Sequence, residues 1–279
     1  MKVTNKWILI TGASTGIGRA TAEYLASKEF SIYACARKDS DIKELNKIEN
    51  VTAVKLDVTD EISILEAVKF IKESKSGLYA VINNAGITKV GPLMDLLTQD
   101  IVDQFDVNLF GVHRVTRAVF PLLLESKGKI IMISSNSGFF AAPFVGPYCS
   151  SKFALEGYSD SLRRELLLYG VRVIIIQPGR IKTSIWDKAE EAVNRFANQS
   201  SIFEKEARAI GEYSIKKGQT ESLSPLKVAE LIYKVLINKN PKTRYLIVPD
   251  KFRNIMLKIL SDKRIDNIIE KGLAKLKQE

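Results

Sequence analysis

The chain is 279 residues long, 46% hydrophobic and 27% charged, the balance of a globular protein with a sizeable core rather than of a disordered or fibrous one. Its net charge of +10, from 42 basic and 32 acidic side chains, attracts phosphorylated ligands, acidic partners or anionic lipid; with no run of five like charges and no aromatic-interleaved basic stretch, a nucleic-acid partner is not expected. Two cysteines, Cys35 and Cys149, give neither a disulfide framework nor a metal-ligand spacing, and the single histidine, His113, excludes a His-rich metal centre, so no metal and a reducing, cytoplasmic compartment are expected.

The first residues, MKVTNKWILITGAST, imitate a secretory leader, but the apolar run is only about five residues long and enters a glycine turn. It reads as a buried strand at 7–11. Further short β-branched runs follow at 30–36, 51–57, 79–83, 129–134, 171–177 and 244–248, each of the kind covered on both faces. Helical patterns lie between them at 17–28, 40–47, 61–75, 98–125, 150–169 and 225–238. Strict alternation of this kind predicts right-handed crossovers and an α/β fold, a Rossmann-type doubly wound parallel sheet of about seven strands. No stretch approaches the roughly 20 apolar residues that span a bilayer.

No Pro-, Gly- or Ser-rich linker divides the chain, which predicts one catalytic domain over 1–249. Residues 184–222, polar and helical in pattern, follow the sixth strand, where ligands of open α/β sheets bind, and read as a substrate lid. Residues 250–279 carry Phe252, Ile255, Met256, Ile259 and Leu260, then Ile265, Ile268, Ile269, Leu273 and Leu276, at helical spacing. They read as two amphipathic helices that pack on the domain or on a partner subunit, with a basic face that also suits peripheral contact with a membrane.

Directly after the first strand comes TGASTGIG, with Gly12, Gly16 and Gly18 around Ser14, Thr15 and Ile17. Glycine permits φ > 0 and close approach of a phosphate to the backbone, and a helix beginning there offers unpaired N–H groups to the anion. In the context of strand, turn and helix, the loop points to a dinucleotide. A second pair, Tyr148 and Lys152 in YCSSK, stands one helical turn apart, so both side chains project from one helix face.

The glycine spacing is Gly-x-x-x-Gly-x-Gly, and with LDV at 56–58, NNAG at 83–86, Asn108, ISS at 133–135, YCSSK at 148–152 and PGRIKT at 178–183 the chain resembles the classical short-chain dehydrogenase/reductase family from about Trp7 to Val248. The resemblance implies that Asp57 and Val58 hold the adenine of a nicotinamide cofactor, that Asn84, Ala85 and Gly86 line its cleft, and that Pro178, Gly179 and Thr183 complete the set, Thr183 at the carboxamide. The second strand ends in Ala36, Arg37 and Lys38 where an acidic residue would bind the ribose 2′-hydroxyl of NAD. Arg37 suits a 2′-phosphate, so NADP(H) is expected in preference to NAD(H), although Thr15 is neutral where NADP-using relatives often carry a second basic residue.

The same resemblance implies the chemistry. Hydride passes between the cofactor and a carbonyl carbon while Tyr148 exchanges a proton with the substrate oxygen, its pKa lowered by positive charge nearby. Ser135, chosen over Ser134 by its separation from Tyr148, holds that oxygen; Lys152 lowers the tyrosine pKa and holds the nicotinamide ribose; Asn108 positions a relay water. His113 reads as an ordinary helical histidine. The lid and tail resemble those of relatives acting on bulky lipophilic carbonyls or alcohols such as steroids, retinoids and lipids, whereas Arg180 and Lys182 would favour an acidic substrate. The alternatives are a 3-ketoacyl-carrier-protein reductase, an extended-branch epimerase or dehydratase, and a non-catalytic NADP(H)-binding sensor or scaffold. Family members commonly form homodimers or homotetramers through 98–125 and 150–169, and the tail could limit assembly to a dimer.

Overall fold

The computed structural model describes residues 6–183 and 201–276. The β-branched runs form seven strands: β1 (Trp7–Ile10), β2 (Ser31–Ala36), β3 (Val51–Lys55), β4 (Ala80–Asn83), β5 (Lys129–Ile133), β6 (Arg172–Pro178) and β7 (Arg244–Ile247). They pair in parallel in the order β3-β2-β1-β4-β5-β6-β7, the Rossmann-like sheet expected. From β1 the chain winds outward to β3, then returns to the other side of β1. The carboxyl ends of β1 and β4 therefore feed connections that part in opposite directions, and a crevice opens between them.

The helices are α1 (Gly16–Ala26), α2 (Asp39–Leu45), α3 (Glu61–Glu73), α4 (Thr98–Phe105), α5 (Gly111–Ser126), α6 (Gly146–Glu165), α7 (Glu204–Thr220), α8 (Pro225–Ile237), α9 (Lys251–Ile259) and α10 (Asp262–Leu276). Leu9 of β1 faces a layer with Val68 of α3, Val115 of α5 and Leu155 of α6, whereas Ile8 and Ile10 face Leu25 of α1 and Ile232 of α8. Both sheet faces are thus covered, which is why the strands show no polar alternation. Start signals are explicit where the chain needs them: the Asp60 carboxylate accepts from Ile62 N and Ser63 N at the head of α3, and Ser224 Oγ accepts from Leu226 N at the head of α8.

Two expectations are corrected. The single helix at 98–125 is two helices joined by a wide π turn at Asp106–Phe110. Helix α6 starts at Gly146 rather than at 150, which puts Tyr148 in its first turn. The tail forms two helices; in α9 Phe252 and Ile259 are 76% and 72% exposed, and the buried residue is Asn254. Of the expected lid, 204–220 is helical and 184–200 lies outside the described residues. No described helix is long and apolar enough to cross a membrane.

Buried Lys129 opens β5 and donates from Nζ to the carbonyls of Val235, Leu236 and Asn238 at 2.9, 2.6 and 2.8 Å, closing the C-terminal end of α8. Lys129→Met keeps the bulk and removes the donors. It is expected to cost about 2–3 kcal/mol, read as a lower urea midpoint at unchanged slope. A loss below about 0.5 kcal/mol would show that those carbonyls find other partners.

Candidate active site

The crevice begins at the glycine loop. Gly12 and Gly16 adopt φ of +63° and +57°; a Cβ on Gly12 would lie 2.9 Å from Ala85 Cα, and one on Gly16 would lie 3.0 Å from Thr183 Cγ2. The loop is stitched to β4: Thr11 Oγ1 accepts from Asn84 N and Ala85 N at 3.0 Å each, and Asn84 Nδ2 donates to the carbonyls of Thr11 and Gly12 at 2.9 and 3.0 Å. Asn84 is thereby committed to holding the loop. Thr15, the residue before α1, makes no side-chain cap, so the first-turn N–H groups of α1 are left for an anion. Among Gly12, Ser14, Thr15, Gly16, Ile17 and Gly18, only Gly18 is buried.

At the end of β2 the backbone passes close to this loop, Ala13 N donating to Cys35 O at 2.8 Å. Arg37 and Lys38 follow, both exposed. Arg37 Nη1 stands 3.7 Å from Asp57 Oδ2. Burial alone would raise the Asp57 pKa, but hydrogen bonds from Thr59 and the Arg37 charge outweigh it and hold the carboxylate low. Val58 is buried against Gly111. This cradle of glycines, open N–H groups and exposed cations has the donor chemistry of a dinucleotide site.

Across the crevice, α6 presents Tyr148 and Lys152. Lys152 Nζ lies 5.7 Å from the Tyr148 ring centroid and donates to Ile133 O at 2.8 Å. Burial lowers its pKa to about 8, and the Glu156 carboxylate one turn further along opposes that shift. Among the chain's own groups, burial pushes the Tyr148 phenol up and outweighs the hydrogen bond with Ser135 that pulls it down. The chain's own groups therefore keep the phenol protonated. Ser135 is set by the end of β5, whose pairing with β6 brings Ser135 Oγ within 3.4 Å of Pro178 O, while Ser137 N donates to Oγ at 3.1 Å. Neighbouring Ser134 is buried with no hydroxyl partner among the described residues, so Ser135 is the serine that meets the tyrosine.

The π turn explains Asn108. Its extra residue turns the side chain inward, where Oδ1 accepts from Ile87 N at 2.9 Å and Nδ2 donates to Ile87 O and Ser151 Oγ, both at 3.1 Å. Asn108 thus ties the loop after β4 to α6. Pro178 is buried, and Gly179 donates to Ile247 O at 2.9 Å. His113 pairs with Tyr158 at 3.2 Å and meets no serine. No group of His, Cys, Asp and Glu among the described residues could hold a metal.

A polar network behind the site escaped the sequence reading. Glu156 accepts from Gln177 Nε2 and Arg244 Nε at 2.9 Å each, Arg244 Nη2 also meets Asp160 at 2.9 Å, and Lys258 of α9 donates to Gln177 Oε1 at 3.4 Å. Beside Ser135, Asn136 Nδ2 donates to Asn254 Oδ1 at 3.0 Å. The one local signal was Glu156 at i+4 from Lys152; the partners from β6, β7 and α9 are remote in sequence.

Comparison with known proteins agrees with this geometry. The short chain dehydrogenase family model matches residues 6–194. The chain is 36% identical to an NADPH-dependent 3-dehydrocapnine reductase of Ornithobacterium rhinotracheale over 98% of this chain and 99% of that protein. It is 34% identical to a 3-ketodihydrosphingosine reductase of Bacteroides thetaiotaomicron over 87% of each. Among solved structures, a short chain dehydrogenase/reductase from Burkholderia phymatum in complex with NAD superposes with a TM-score of 0.79 at 21% identity, covering 95% of this chain and 96% of that one. The chain belongs to the short-chain dehydrogenase family and is an oxidoreductase.

Proposed function

We propose that the protein is an NADP(H)-dependent reductase that interconverts a carbonyl and an alcohol on a bulky lipophilic substrate. The observation that carries this reading is the Tyr148 phenol meeting Ser135 beside buried Lys152, across the crevice from the glycine loop. NADPH, when bound, supplies the hydride. Gly12, Gly16, Gly18 and the head of α1 hold its pyrophosphate; Asp57 and Val58 the adenosine; Ala85, Gly86, Pro178, Gly179 and Thr183 the nicotinamide side, with Asn84 keeping the loop in shape. Ser135 binds and orients the substrate oxygen, Tyr148 gives it a proton, and Lys152 keeps positive charge beside the phenol as that proton leaves. Asn108 positions the water through which Lys152 reaches solvent.

Two relatives named as reductases, of 3-dehydrocapnine and of 3-ketodihydrosphingosine, support a lipid-like ketone. The test is NADPH oxidation across carbonyl compounds from small polar ketones to steroids, long-chain 3-ketones and acyl thioesters. Turnover best on the thioesters would replace this reading by that of an acyl-carrier reductase, and silence across the panel despite tight NADPH binding by that of a sensor. A substrate carrying an acidic group is favoured by Arg180, half-buried, 3.7 Å from Glu221 and close enough to Arg253 for the two charges to repel. Equal rates on a 3-oxo acid and its methyl ester would remove that refinement.

Arg37 and Lys38 at the β2 rim carry the cofactor preference. Arg37→Glu is expected to weaken NADPH binding by about tenfold to a hundredfold, the weight of one charge-assisted hydrogen bond, and to leave NADH affinity within about threefold. Tighter binding of NADH than NADPH by the parent protein would defeat the assignment. Exposed Val102, Phe110 and Phe153 on the α4–α6 face support a homodimer or homotetramer; a monomer mass in solution would end it.

A further inference from the structure

Helix α9 is held against the site by an amide. Asn254 is 3% exposed although apolar residues of the same helix face solvent. Burying an amide is unfavourable unless its hydrogen bonds are met, and here both ends are met in a fixed sense. Asn254 Nδ2 donates to Asp250 O at 2.7 Å. A backbone carbonyl can only accept, so this contact turns Oδ1 of Asn254 toward Asn136. An oxygen there demands the NH₂ of Asn136, at 3.0 Å, which leaves Asn136 Oδ1 facing Ser135 Oγ at 3.3 Å. Ser135 Oγ already accepts from Ser137 N, so its proton points to Asn136 Oδ1 or Pro178 O at 3.3 and 3.4 Å. Contacts that long aim a proton without holding it strongly.

We infer that Asn254 is a positioning residue of the reaction: acting through Asn136, it sets the direction of the Ser135 hydroxyl and leaves its proton free for the substrate oxygen. The inference rests on the proposed role of Ser135. Without the Asn254 oxygen, the Asn136 amide is free to turn over and place its NH₂ where Ser135 now meets an oxygen. Ser135 Oγ then accepts from both Ser137 N and Asn136, and its proton, turned off Asn136, no longer keeps the direction it has in the parent.

The experiment compares Asn254→Leu, Asn136→Ala and the double variant. With the best carbonyl substrate, each single variant is expected to lower kcat about fivefold or more at NADPH affinity within about twofold, and the double to be no worse than Asn136→Ala alone. Additive losses or full kcat in Asn254→Leu would overturn the inference. A second readout needs no substrate: the phenolate absorbance of Tyr148, obtained by subtracting the Tyr148→Phe titration in each background. In Asn254→Leu it is expected to move by about half a unit or more, because the direction of the Ser135 hydroxyl beside the phenol changes. An unchanged titration overturns the inference even where no substrate is found, whereas a parent protein that reduces none of the panel while the titration moves as expected counts only against the proposed function.

Discussion

Tyr148→Phe is expected to lower NADPH-dependent reduction by about 10²- to 10⁴-fold, the usual weight of a positioned general acid, while NADPH affinity stays within about twofold of the parent. The substitution removes one oxygen and keeps the ring, so the packing of α6 and the glycine loop across the crevice are undisturbed. The structure gives the phenol a direction of use. Burial outweighs the Ser135 hydrogen bond and keeps it protonated, which is the state a reductase needs in its acid. Lys152, lowered to about 8 by burial and sustained by Glu156, remains largely cationic at neutral pH, and its charge favours the phenolate left behind. The measurement is single-turnover NADPH oxidation at saturating substrate. A variant retaining more than about a tenth of the parent rate would move the proton donor to another group.

The second large effect is in the glycine loop. A Cβ on Gly18 would lie 2.2 Å from Gly12 O and 2.5 Å from Asn84 Nδ2, the two groups that stitch the loop to β4. Backbone cannot rotate away as a side-chain tip can, so Gly18→Ala must spread the loop and break the Asn84 bonds. We expect a loss of about 3 kcal/mol in stability, combining overpacking with lost hydrogen bonds. NADPH should also cease to stabilise the variant, although ligand at 100 times its dissociation constant would raise the parent by about 2.7 kcal/mol. Thermal unfolding with and without NADPH reads both effects. Gly157→Ala is the control: nothing lies within 4 Å of its added Cβ, and it sits inside α6, so it should be neutral or stabilising by up to about 1 kcal/mol. Equal behaviour of the two variants would show that close approach at Gly18 does not matter.

What could be read in advance was local. Runs such as KIIMI of β5 and RVIIIQP of β6 announce strands because both their faces are covered, and the glycines announce a turn because backbone conformation is written in residue type. Tyr148 and Lys152 were legible because a helix brings i and i+4 together. The π turn was not, since the bonds that stabilise it run from Asn108 to Ile87 and Ser151 and leave no periodic trace. Asn254 was hidden for the same reason: its partner Asn136 is 118 residues away, and a pattern search marks its apolar neighbours instead.

The stitching of the site divides it into two estates. Thr11, Gly12, Asn84 and Ala85 are bonded to one another, whereas Ser135, Asn136 and Asn254, and behind them Glu156, Gln177, Arg244 and Lys258, form their own web. Between the halves run slender ties such as the bond from Asn108 to Ser151. A lineage carrying this architecture can retool what it reduces by changing the second half, and inherit the handling of its reductant intact.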